Sequence, residues 1–103
     1  MTALSDAIDH DLRLAILQLL SDQVGYQANS RVLHSGVQAL RFRVSLDKVI
    51  TEIDWLAEQR LVESEDIGSG VILAIATQRG RDAAAGLIAV RGVAQPDPLA
   101  KKG

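Results

Sequence analysis

Apolar positions in the N-terminal stretch of the chain recur at helical spacing. Ile8, Leu12, Ala15, Ile16 and Leu19 fall on one face of a helix that Ser5 is placed to cap and that runs to about Ser21. Leu14 and Leu17 lie on the other side of the same helix. A surface helix needs only one apolar stripe, so a two-sided one is covered twice. Either another helix of the domain or a partner subunit does this, which makes Leu14 and Leu17 candidates for a homodimer interface.

A loop, VGYQAN (24–29), follows. Asn29 is placed to cap a second helix, SRVLHSGVQAL, with Val32, Leu33, Gly36, Val37 and Leu40 along one side. RFRV (41–44) reads as the turn into a third helix, capped by Ser45, with Asp47 set favourably against the helix dipole. The inward face of that helix is Leu46, Val49, Ile50, Ile53, Leu56 and Ala57. After Arg60 the period becomes that of strands. LVESEDIGSGVILAIAT predicts two short strands joined at Gly68-Ser69-Gly70. The second, Val71 to Ala76, is apolar on both faces and is expected to be covered on both. Thr77 caps a fourth helix, QRGRDAAAGLIAV, and RGVAQPDPLAKKG reads as a flexible or extended tail. The expected class is α+β, mostly α, with one domain over residues 1–90 and the tail over 91–103.

The order helix, helix, helix, hairpin, helix is that of a winged helix-turn-helix domain, with a two-stranded wing and a C-terminal helix. VSLDKVITEIDWLAEQRLVE resembles the third helix and first wing strand of winged-helix regulators, whose helix ends in a WL-x-x-x-x-LV phrase. ATQRGRDAAAG resembles the T-x-x-G start of the helix that follows their wing. Arg60 stands where such regulators often carry Gly, at a position that favours φ > 0, so the turn into the strand is expected to differ. The chain also resembles a small protein of Mu-like phages and prophages with an ArsR-like fold. These resemblances imply a DNA-binding regulator of transcription. The alternative is a protein-interaction module on the same scaffold, such as a phage accessory or assembly protein.

Composition narrows the chemistry. The chain has 103 residues, 48% apolar and 23% charged, and no cysteine, which allows one modest core and no disulfide or thiolate metal site. His10 and His34 are far apart and stand in no ligand-spaced cluster, so no metal and no other cofactor is expected. No nucleophile, base and orienting group can be assembled from spacing, so no enzyme is expected. No apolar run approaches the ~20 residues needed to span a bilayer, and the N-terminus lacks a signal peptide's features. A cytoplasmic location is the corresponding expectation.

Charge is where a DNA-reading role is tested. Arg31, His34, Arg41, Arg43 and Lys48 gather around the turn, opposed there by Asp47. A recognition helix reaches base edges from its N-terminal residues while flanking groups hold phosphate. Ser45, Lys48 and Thr51 are therefore the base-edge candidates on double-stranded DNA, with Arg31, Arg41 and Arg43 as phosphate contacts. Beyond Lys48 the sign reverses through Glu52, Asp54, Glu58, Glu63, Glu65 and Asp66. A wing tip with Glu65 and Asp66 repels phosphate and is expected not to insert. Arg79, Arg81, Lys101 and Lys102 would then have to assist. Trp55 lies almost opposite the core face of its helix, so it packs beneath a neighbouring element such as the wing or waits for a protein partner.

Overall fold

The computed structural model describes residues 3–96. The terminal lysines Lys101 and Lys102 lie outside the described residues. The chain forms α1 (Ala3–Ser21), a 3-10 turn (Val24–Tyr26), β1 (Gln27–Asn29), α2 (Ser30–Ala39), α3 (Leu46–Glu58), β2 (Val62–Asp66), β3 (Ile72–Ala76) and α4 (Gln78–Ala84). The class is α+β and mostly helical, with an antiparallel sheet ordered β1-β3-β2.

The sheet has one strand more than the hairpin the sequence suggests. Part of the expected 24–29 loop is β1, whose Gln27 to Asn29 pair with Ile75 to Leu73. On the other side Val62 to Asp66 pair with Ala76 to Ile72. A central position suits β3, because its apolar residues are then flanked on both edges and packed beneath the helices.

α1 begins ahead of Ser5, which lies inside the helix and not at its cap. Ile8 is 43% exposed, so the core face of α1 starts only at Leu12. Leu17, placed on the second face, is fully buried, and Leu14 packs partly buried against the same core. α4 supplies the cover: the α-carbon of Gly80 sits so close that an added Cβ would lie 3.3 Å from Leu17 Cδ2. Leu17 is therefore closed off inside the domain and is not available at a dimer interface. Leu14 is largely withdrawn from one.

Polar caps fall where the sequence places them for α2, α3 and α4. Asn29 Oδ1 accepts from the amides of Arg31 and Val32, Ser45 Oγ from Lys48, and Thr77 Oγ1 from Gly80. The three helices also end alike. The amides of Arg41 and Phe42 donate to Gln38 and Val37, those of Arg60 and Leu61 to Ala57 and Leu56, and those of Gly86 and Leu87 to Ala83 and Asp82. This is the Schellman pattern, which holds its central residue in the left-handed region. Gly86 does so at φ 80, but Arg41 and Arg60 adopt φ 77 and 63. The turn after α3 thus has the usual geometry without its usual glycine, contrary to the expectation at Arg60. α4 stops at Ala84, short of the apolar run that follows it, because Gly86 closes this motif.

The junction of β2 and α4 explains the Thr-x-x-Gly phrase. Thr77 Oγ1 donates to the carbonyl of Arg60 at 2.8 Å, and Gly80 donates to Thr77 Oγ1 at 3.0 Å. A Cβ on Gly80 would lie 2.0 Å from the Leu61 carbonyl oxygen, so only glycine allows α4 this approach.

Candidate functional site

Lys48 is the sole basic side chain of α3, and it is already occupied. Its Nζ lies 2.9 Å from Asp9 of α1 and 2.9 Å from Glu52, one turn further along α3. Hydrogen bonds that it donates to Glu52 and, second, to Asp9 raise its pKa above the ordinary lysine value. Glu52 is itself 3% exposed, on the helix face shared with Val49, Ile53 and Leu56. Its second oxygen accepts from Arg13 Nε at 2.6 Å. A buried carboxylate needs this much compensation, so Lys48 and Arg13 serve Glu52 first.

The base-edge candidates therefore separate. Ser45 and Thr51 are exposed, while Lys48 is turned into the ion-pair cluster. The fully exposed positions of α3 are Asp47, Thr51, Asp54 and Glu58. Spaced three and four residues apart, they form one outward stripe. That stripe carries carboxylates and no cation.

The phosphate candidates also divide. Arg31, Arg41 and Arg43 are all exposed and form no ion pair among the described residues. Arg31 stands at the start of α2, whereas Arg41 and Arg43 follow its end. A helix of 10 residues keeps these ends about 15 Å apart. The Arg41–Val44 turn is held firmly, with the ring Nε2 of His34 2.8 Å from the Val44 carbonyl. It lines two hollows. One, of about 510 Å³, is lined by Gln38 and residues 41–44. The other, of about 380 Å³, adds Ile8 and Asp11 of α1.

Trp55 is half-buried, with α1 and the segment around Gly92 against its ring. The Arg13 guanidinium lies 4.0 Å from its ring centroid, and a Cβ on Gly92 would lie 2.7 Å from its Cζ2. Arg13 also donates to the Gly92 carbonyl, and Ala94 donates to the carbonyl of His10. With Val93 8% exposed, the start of the expected tail is a packed strap across α1 and α3. Trp55 is thus partly packed inside the domain. Neither Arg13 nor this strap stands out in the sequence; the only signal is Glu52 on the apolar seam of α3, which calls for a cation from elsewhere.

Of the other basic candidates, Arg81 stacks 4.2 Å from the Tyr26 ring centroid and donates to Ala76 and Gln78, and Arg79 donates to the Gln59 carbonyl. Glu63, Glu65, Asp66 and Ile67 of the wing are all exposed. His10 and His34 are not brought together with any acidic cluster, and no group of metal-ligating residues occurs among the described residues. No helix among them is long and apolar enough to cross a membrane.

No protein-family model matches the chain, and no solved structure matches it. Two curated proteins do. An uncharacterized protein of Haemophilus influenzae is 36% identical over 74 residues, which span 72% of each chain. The uncharacterized protein gp26 of Escherichia phage Mu is 40% identical over 97 residues, covering 94% of this chain and 99% of gp26. At that identity over nearly the full length of both proteins, the chain belongs to the family of phage Mu gp26.

Proposed function

We propose that this protein is a protein-interaction module built on a winged-helix scaffold, and that it does not read DNA with α3. The winged-helix reading is supported by the order of elements, by α2 and α3 joined through a short turn, and by the β2–β3 hairpin that follows. One observation carries the functional part: the outward stripe of α3 is Asp47, Thr51, Asp54 and Glu58, while its sole base is held by Asp9 and Glu52. A helix seated in a major groove lies between rows of phosphates, so a stripe of this sign opposes docking. The acidic wing adds to the same repulsion.

A second reading, a DNA-binding regulator, draws on one feature. Arg41 and Arg43 are exposed, form no ion pair among the described residues, and precede Ser45 at the start of α3. Fluorescence anisotropy with a labelled duplex from the gene's upstream region and a scrambled duplex separates the two. The interaction reading expects no binding to either, even at low salt. Tight, sequence-dependent binding that weakens with salt and is lost in Arg41→Ala/Arg43→Ala would establish the regulator instead.

A further inference from the structure

The turn at residues 41–44 is fixed in shape and rich in positive charge. The hydrogen bonds that end α2 hold Arg41 at φ 77. Arg41 and Arg43 have no ion-pair partner among the described residues, although the chain as a whole has a net charge of −2. Between them Phe42 and Val44 are half-buried, and with Ile8 they give the 380 Å³ hollow an apolar floor. Asp11 on its rim offsets only part of the local positive charge. The surface is a cationic cleft with an apolar floor, suited to an acidic segment that carries one apolar anchor.

The chain itself presents such a segment. At the wing tip Glu65, Asp66 and Ile67 follow one another, and Ile67 is 50% exposed. The tip is fixed in shape: Asp66 Oδ1 accepts from Gly68 at 2.8 Å, and Ile67 and Val71 are joined by a backbone hydrogen bond at 2.9 Å. An exposed isoleucine on a rigid, acidic turn is a preformed knob, and docking it requires little ordering. The wing starts from the other end of α2 than the cleft of its own molecule. The amide of Ile72 is bonded to Ser30 Oγ at the start of α2, whereas the cleft follows the end of α2, about 15 Å further on.

We infer that the wing tip of one molecule docks into the 41–44 cleft of a second copy, with Ile67 over Phe42 and Ile8 and the carboxylates of Glu65 and Asp66 facing Arg41 and Arg43. This inference rests on the interaction reading above and gives it a partner. Because the two surfaces differ, the contact is either made twice across a two-fold axis, tip to cleft and cleft to tip, or repeated head to tail. A contact this small and this charged is weak and salt-sensitive.

Light scattering and sedimentation from micromolar to high-micromolar concentration test it, on wild type and two variants. The cleft variant is Arg41→Gly/Arg43→Glu. The tip variant is Glu65→Lys/Ile67→Ala, which leaves the Asp66 hydrogen bond in place. All the altered positions are exposed, and circular dichroism confirms that both variants fold. At low salt the wild-type mass is expected to rise with concentration to a dimer or beyond, and to fall back towards the monomer at high salt. Each variant alone is expected to stay monomeric. Their equimolar mixture retains one intact tip and one intact cleft, and is expected to stop at a dimer. A wild-type protein that stays monomeric overturns the inference. So does a variant that still associates, or a mixture that does not. A monomeric wild type that also ignores duplex DNA would remove this contact and leave the interaction reading standing, whereas duplex binding would remove that reading itself.

Discussion

At the scale of single residues, Glu52 decides what the front of α3 is free to do. It sits 3% exposed among aliphatic neighbours and is balanced by Arg13 and Lys48. Removing one member of a buried ion cluster leaves uncompensated charge. Glu52→Ala is therefore expected to lower stability by about 3 kcal/mol, read from urea denaturation. A change below about 0.5 kcal/mol would place the cluster among ordinary surface pairs. Lys48 gives the pH counterpart. Its folded pKa lies above the unfolded value of 10.5, so its contribution is complete below pH 10.5 and is lost as pH rises through the folded value. Urea midpoints of wild type and Lys48→Met should differ by a constant amount at neutral to mildly alkaline pH and converge in the strongly alkaline range. A gap that narrows towards acid instead would assign the pH dependence to another group.

At the scale of elements, close approach between backbones does much of the positioning. Gly80→Ala would drive a methyl into the Leu61 carbonyl and push α4 off β2. The expected loss is about 2–3 kcal/mol in chemical denaturation, the upper range for an overpacked site. The strap around Gly92 makes a separate prediction. Arg13→Ala removes both its guanidinium contact with Trp55 and its bond to the Gly92 carbonyl, so the emission of the protein's sole tryptophan should shift to the red. Unchanged emission would mean that residues 92–94 hold their place without Arg13. The sequence made the helices with polar caps and a single apolar stripe legible, because capping and periodicity are local. It hid β1, whose short QAN segment pairs only because β3 needs a second neighbour, and the strap, which is held by a residue 79 positions away in the chain. Arg60 misleads for another reason: the hydrogen bonds of the helix end outweigh the strain of φ 63 and need no glycine.

At the scale of the whole molecule, the candidate site was legible as a sequence of charges but not as a surface. Arg31, Arg41 and Arg43 are near in sequence, yet α2 holds the first away from the other two. Lys48 reads as the leading DNA contact until Asp9, far away in the chain, is brought beside it. Around α3 what faces outward is an acidic stripe and an acidic wing tip, with a small cationic cleft at the turn between α2 and α3. That distribution suits contacts with proteins and opposes groove docking, because exposed like charges add over a surface. The most direct test is a ¹H–¹⁵N correlation spectrum of the labelled protein titrated with duplex DNA at low salt. The amides of Ser45, Lys48 and Thr51 are predicted to stay unmoved through an excess of duplex. Saturable shifts centred on residues 45–51 would contradict the interaction reading and show α3 to be a DNA-reading helix after all.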